Sequence, residues 1–466
     1  MNLHQKWEEK PFFRALSDEC SGVFFIAFWC VLTFLTSVFG LELVYYTFAC
    51  LLSAVILLFC KSILPLATIF SCFYFSPSVR NNPGIHSESI FFPEHGLYYI
   101  VFLILLLVVL FVYRLVSDLR RGVLHFRLPG LSKGFLFLGI SFLAGGIGYQ
   151  DYTAKTLLFG FLEIASLCLF YFFFALCLDW KSVPEQYVFH LFAFLGLNVG
   201  MQTMFVYAFD SVLVDGVILR GGIYVGWGHY NNIGAALAMC LPAPVYLAMQ
   251  KRRGILWYLF ACYLLAMLVL TRSRTAIAVG CVIFVLSSVA MLVCSKGWMR
   301  VCNLAIFSCF LALFFLLLFQ EESYLHQILK NLIDFEEDGA SRIEIYENGI
   351  ALFRDYPVFG TGFYSCNLGR WGSGQDSLIP ARWHSTYVQL LASCGVIGMA
   401  AYLFHRAETL VLLFQKPSKR KVFLALSVLA LMGTSLIDCH FFNLGPGLLY
   451  GLLLVFMEND DKTCLF

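Results

Sequence analysis

The chain has 466 residues, 60% hydrophobic and 13% charged, with a formal net charge of +2 and a mean hydropathy of +0.80. A soluble globular protein carries roughly 25% charged residues, so a soluble fold is excluded. The near-zero net charge gives no sign of a nucleic-acid partner.

Met1–Glu19 is polar and charged, and the apolar run that follows continues as an ordinary span, so no cleavable signal peptide is expected. Spans are predicted at about 22–39, 41–60, 62–76, 97–117, 135–149, 156–178, 187–209, 231–249, 255–270, 276–294, 301–319, 386–415, 422–437 and 441–457. The short 62–76 stretch reads equally as re-entrant. The expected fold is all-α: one integral membrane domain over 1–466, a polytopic bundle of about 12–14 transmembrane helices. Alternating barrel strands are absent from the pattern. No internal repeat of motif quality supports an inverted-repeat transporter. The 17 cysteines sit mostly inside apolar runs, as at Cys30, Cys50, Cys60, Cys240, Cys281 and Cys302, where they act as small hydrophobes.

Orientation follows from the basic loops. Asp118–Gly134, the Q-K-R-R-G turn at 250–254, the 295–300 turn and K-P-S-K-R-K at 416–421 fall on one side with both termini. That side is expected to be the cytoplasm. The outer side then keeps eight arginines (Arg80, Arg220, Arg272, Arg274, Arg342, Arg354, Arg370, Arg382) against Lys155 and Lys330. Arginine's planar fork binds phosphate bidentately and lysine's ammonium does not, so this bias points to a phosphate-bearing ligand. Chance in a small sample is the alternative.

The first candidate stretch is L-R-G-G-I-Y-V-G-W-G-H-Y-N-N at 219–232. Its glycines let backbone amides approach a ligand, Arg220 supplies positive charge, and the next span opens on Asn231-Asn232. A surface loop in an aromatic belt is the alternative. Thr271-Arg272-Ser273-Arg274-Thr275 is a hairpin between two apolar helices. Two arginines there are costly to insert; snorkelling explains Arg274 blandly, and an ionisable residue at a membrane span is otherwise a functional candidate.

The longest polar interruption runs from Gln320 to Ser385, and both its ends are held at one membrane face by flanking spans. Within it, Ser341-Arg342-Ile343-Glu344 has the S-x-x-E form of a capping box. It predicts an amphipathic helix to about Tyr356, with Ile343, Tyr346, Ile350 and Phe353 on one face and Pro357 as its stop. Gly360-Thr361-Gly362 then turns the chain into Phe363-Tyr364. His384, preceded by Arg382 and Trp383, opens the next span; a neutral imidazole at a water–lipid boundary accepts a proton near pH 7. Small residues Ala392, Ser393, Gly395 and Gly398 allow that helix to pack closely. A lone interfacial histidine that only hydrogen-bonds is the alternative. Metal chemistry has no D-x-D or H-E-x-x-H motif to stand on. The acidic run Asp334–Asp338 reads as solvated, and buried pairing or a polar cavity explains His190 and Glu163.

In order, these pieces resemble the O-antigen ligase / O-antigen polymerase family of bacterial membrane glycosyltransferases. The matching residues are Arg220 with its Gly-rich loop and Asn231-Asn232, Ser273-Arg274-Thr275, Arg342, D-Y-P-V-F-G-T-G-F at 355–363, and H-S-T-Y-V-Q-L-L-A-S-C-G-V-I-G at 384–398. The resemblance covers roughly residues 200–400. One departure is Ser385, where the family often has Asn.

The resemblance implies a glycosyltransferase class C-like bundle in the cytoplasmic membrane, with the 320–385 loop and the active site facing outside. It implies a glycan donor on undecaprenyl diphosphate, a glycan, lipid or protein acceptor hydroxyl, and neither metal nor other cofactor. Arg220 and Arg274 would match the family's diphosphate-binding arginines and His384 its essential loop histidine. Arg272, Arg342, Asn231, Tyr364 and Arg382 are the further substrate-binding candidates. The rival reading is a flippase or transporter of lipid-linked oligosaccharide, which explains the spans and arginines but not a long one-sided loop ending in a placed histidine.

Overall fold

A computed structural model describes the chain apart from residues 1–6, 8–9, 77–95, 121–128, 210–212, 215–216, 219–221, 250–253, 321–322, 324–325, 327–337, 364–381, 416 and 461–466. Helices dominate. The first five are α1 (Pro11–Cys20), α2 (Val23–Phe39), α3 (Glu42–Phe59), α4 (Pro65–Phe73) and α5 (Gly96–Arg120), followed by α6 (Ser132–Ala144), α7 (Ala154–Cys177) and α8 (Tyr187–Phe209). Two small hairpins come next, β1 (Leu213–Val214) with β2 (Val217–Ile218) and β3 (Tyr224–Val225) with β4 (Gly228–His229), both antiparallel. Then follow α9 (Tyr230–Cys240), α10 (Pro242–Leu247), α11 (Gly254–Leu270), α12 (Arg274–Cys294), α13 (Trp298–Phe319) and α14 (Asp338–Asp355). The chain ends on α15 (Thr386–Phe414), α16 (Lys419–Thr434) and α17 (Leu444–Glu458).

Among the described residues, seven helices are long and apolar enough to cross a membrane, or up to eight when α1 and α2, bent by 70° at Ser21-Gly22, count as one. This is fewer than the 12–14 read from hydropathy. The difference lies in apolar runs that the backbone shortens or breaks. The 231–249 run is two helices, because Pro242 lacks the amide that would continue the ladder. The 62–76 run yields the nine residues of α4, while α6, α11 and α17 are shorter apolar helices. The chain is thus a mostly helical polytopic membrane protein.

Packing groups the chain into two compact units. The first comprises Met1–Arg127 and Phe173–Ile306, the second Leu128–Phe172 and Phe307–Phe466. In the first, lipid supplies no hydrophobic drive between helices, so close packing and polar ties hold them. A Cβ on Gly280 would lie 2.1 Å from Leu268, and one on Gly234 2.6 Å from the Ala276 methyl. Arg114 donates to the Cys60 and Lys61 carbonyls at 2.7 and 2.9 Å, capping the end of α3, and pairs with Asp118 at 2.6 Å.

In the second unit α6 packs along α15. The α6 N-terminus is satisfied by acceptors from elsewhere in that unit: the Leu131 amide donates to the Tyr171 hydroxyl and the Gly134 amide to Glu408. Helix α15 is broken at Gly395, whose φ is 62° and ψ −156°. The 357–362 stretch fills the break with its own backbone. The Thr361 and Gly362 amides donate to the Ala392 and Ser393 carbonyls at 2.8 Å each, and the Val396 amide donates to the Pro357 carbonyl at 2.8 Å. The Gly360-Thr361-Gly362 turn therefore completes the hydrogen bonding of a broken helix, which a buried break requires. Beyond it, Arg406 is enclosed by the rings of Tyr402, Phe441 and Tyr450 at 4.6, 4.6 and 5.0 Å.

Two details of α14 differ from the sequence reading. It starts at Asp338, so Ser341 lies inside the helix and does not cap it. Its packed face is Ile345, Gly349 and Leu352 with Tyr346, set against Trp383, Val388 and Ala392, while Ile343 and Ile350 are exposed. Trp383 and Val388 decide the face, because a Cβ on Gly349 would lie 2.5 Å from Val388 and only Gly allows this approach.

Candidate active site

Two clusters gather the candidate residues, one in each unit. In the first unit, β3 and β4 turn at Gly226, where φ is 58° and a Cβ would lie 2.4 Å from the Tyr74 carbonyl. The Trp227 amide donates to that carbonyl at 3.1 Å, and the Tyr74 hydroxyl donates to the Trp227 carbonyl at 3.2 Å. The glycines of 222–228 thus seat a short hairpin against Tyr74. His229 caps α9, its Nδ1 accepting from the Asn231 amide at 3.1 Å. The Asn231 side-chain carbonyl accepts from the Ser273 hydroxyl at 2.8 Å, tying this hairpin to the start of α12.

Ser273 precedes α12, and Arg274 is its first residue. A helix N-terminus already carries partial positive charge, and side-chain preference there runs to acids. Arginine at that place, with half-buried Arg272 before it, raises the attraction for an anion such as phosphate. Arg272 adopts φ 57°. Arg220 and Tyr364 lie outside the described residues.

In the second unit, His384 sits two residues before α15 with φ 49°. Its surroundings determine that conformation closely. The Trp383 amide donates to Gln389 Oε1 at 3.1 Å, the Tyr346 hydroxyl donates to the His384 carbonyl at 3.0 Å, and the Thr386 amide donates to the Ser435 carbonyl at 3.1 Å. The His384 side chain is 37% exposed, and its Nδ1 lies 3.5 Å from Asp438 Oδ1. That approach is not a hydrogen bond, whereas the Cys439 amide donates to the same oxygen at 2.7 Å. On the far side of the same carboxyl, His440 Nε2 lies 3.7 Å from Oδ2. Burial pushes the His440 imidazole below its ordinary value, and the Asp438 carboxyl acts against that. Arg342 stands beside this group, donating from Nη1 to the Ile437 carbonyl at 3.2 Å.

Arg382, a substrate-binding candidate in the sequence, donates from Nη2 to Glu163 at 2.6 Å and to the Phe442 carbonyl at 3.0 Å. Glu163 is thereby a buried ion-pair partner. Among the described residues no group of three or more His, Cys, Asp and Glu side chains is arranged to hold a metal ion.

Sequence reasoning missed Asp438 and His440. The signal was present: D-C-H at 438–440 places two ionisable groups between apolar runs, which makes them functional candidates by default.

No curated protein matches the chain. Residues 258–403, which include Arg272, Arg274, Arg342, Arg382 and His384, match the Wzy_C family model, described as O-antigen ligase. The chain is thus a multi-pass membrane protein, with seven or eight candidate spans among the described residues, whose residues 258–403 match the O-antigen ligase domain family.

Proposed function

We propose that the protein is a membrane glycosyltransferase that transfers or polymerises an undecaprenyl-diphosphate-linked glycan onto an acceptor hydroxyl. It acts at the outer face of the cytoplasmic membrane, in cell-surface polysaccharide biosynthesis. The observation that carries this reading is the His384 imidazole, partly open and held in one backbone conformation, with the Asp438 carboxyl 3.5 Å from Nδ1 inside its own unit.

A hydrogen on Nδ1, the nitrogen on the Asp438 side, leaves the lone pair on Nε2. It takes the acceptor hydroxyl's proton as that oxygen attacks the anomeric carbon. The bond from that carbon to the diphosphate breaks, and its electron pair leaves on undecaprenyl diphosphate. A single displacement inverts the anomeric centre. The charge growing on the leaving diphosphate calls for bidentate arginine forks, and Arg220 and Arg274, with Arg272 and Arg342 further, are the candidates that the sequence offers for that role. The donor is already activated by its diphosphate, so this reading asks for neither metal nor nucleotide sugar.

The test uses purified protein, a lipid-diphosphate-linked oligosaccharide and an acceptor glycan. Wild-type protein should form elongated or transferred product, in EDTA as well. His384→Gln should still bind donor but lose at least about 10²-fold in transfer, the lower range for general base catalysis. Near-normal turnover by His384→Gln would remove His384 from the chemistry.

A further inference from the structure

We propose that Tyr346, on α14, is a positioning residue for His384: its hydroxyl grips the His384 carbonyl and, with Gln389 holding the residue before, keeps His384 in its left-handed conformation. The inference rests on the reading of His384 as the base.

The conformation belongs to His384 alone. Its φ is 49°, whereas Ser385 after it is ordinary extended backbone at φ −155° and ψ 129°. An L-residue holds a left-handed backbone only where its surroundings over-determine it. The residues on either side are pinned first. Trp383 is buried in one cluster with Ile345 and Ala392, and its amide donates to Gln389 Oε1 at 3.1 Å. Gln389 is fully buried, and its Nε2 donates to the Ser393 hydroxyl at 2.9 Å, which leaves Oε1 as the atom turned toward Trp383. The same Oε1 accepts from the Cys439 thiol at 3.6 Å. One carboxamide thus ties the segment before His384 to the segment that carries Asp438. After His384, the Thr386 amide donates to the Ser435 carbonyl at 3.1 Å.

These contacts fix where the chain arrives and leaves. The peptide unit between them is turned by ψ of His384, which sets the direction of the His384 carbonyl. The Tyr346 hydroxyl donates to that carbonyl at 3.0 Å. A carbonyl only accepts, so the hydroxyl commits its one hydrogen there. Tyr346 reaches it from a seated ring, packed against the Ile345, Trp383 and Ala392 cluster. Arg342, one turn earlier on α14, donates to the Ile437 carbonyl at 3.2 Å. Helix α14 therefore holds main chain at both segments of the site, at His384 and at the neighbour of Asp438. A base in a costly backbone conformation stays in place only while that grip lasts. Relaxing φ toward its ordinary negative range carries the imidazole with it.

Tyr346→Phe removes one oxygen and keeps the ring in its seat, so the fold should be retained. In purified full-length protein, amide hydrogen exchange over 383–386 should become about fivefold faster or more, the worth of one hydrogen bond, with exchange in α17 unchanged. In the transfer assay, kcat should fall at least about tenfold while KM for the lipid-linked donor stays the same, as expected for a reacting group displaced by about an ångström. In the His384→Gln background the same change should cost less than about twofold, because no base is left to position. Unchanged exchange, unchanged kcat, or a further tenfold loss in the His384→Gln background would each overturn the proposal. A wild type that transfers nothing sinks the glycosyltransferase reading, and the exchange result then still decides whether Tyr346 holds the His384 backbone.

Discussion

Arg272 and His384 are the two non-glycine residues with left-handed backbone among the described residues. Such conformations cost about 1–3 kcal/mol each and persist where the surroundings over-determine them. Each lies two residues before a helix, and both were singled out in the sequence by residue type and by their place beside an apolar span. Their conformation was not legible there, because it depends on partners such as Tyr346 and Gln389. Asp438 and His440 were missed for a related reason: nothing local to D-C-H says that it folds back against His384. For the arginines, fork geometry should matter beyond charge. Arg274→Lys keeps the cation at the first turn of α12 but loses the bidentate fork. Transfer should fall at least about tenfold, the worth of one charge-assisted hydrogen bond of about 1.5 kcal/mol. Wild-type turnover by a normally expressed Lys variant would remove the phosphate-clamping role.

At the scale of elements, hydropathy located the helices and misjudged their ends. The Ser341 capping signature placed the start of α14 three residues late, and its periodicity favoured Ile343 and Ile350, which are exposed. Periodicity cannot see a neighbour, and here Trp383 with Val388 selected the Ile345, Gly349 and Leu352 face. The small residues of α15 were legible as a close-packing signal; the break at Gly395 was not. Gly395→Ala would place a Cβ 2.4 Å from the Val358 carbonyl oxygen in a left-handed conformation. It should lower stability by about 2 kcal/mol or more, combining left-handed strain with a clash against main chain. Gly139→Ala in α6 is the control, since its Cβ would meet only Ile164 at an ordinary 3.5 Å. Thermal unfolding in detergent compares the two, and equal melting temperatures would contradict the account of the break.

Over the whole molecule, composition alone established a polytopic helical membrane protein. The number of spans was less legible, because an apolar run says nothing of where a proline or glycine interrupts it. Orientation, read from the basic loops, makes a prediction of its own. In a Cys-free background, a cysteine at Gly372 should label with a membrane-impermeant reagent in intact cells, and one at Lys419 only after lysis. Labelling of position 372 only after lysis would put the 320–385 loop in the wrong compartment for the proposed chemistry.

The break in α15 also constrains how this chain can diverge. A side chain at Gly395 would strike the carbonyls of Pro357 and Val358, and one at Gly360 would strike the Ala392 carbonyl and the Ser393 backbone. Gly145 and Gly146, at the end of α6, meet the Ser393 and Thr361 carbonyls in the same way. The nearest obstacle at each of these glycines is main chain, which no substitution can trim. A mutation at one of these glycines therefore has no compensating partner elsewhere in the cluster. Three segments far apart in sequence must be inherited together, and the loop leading to His384 can vary in length and composition only outside them.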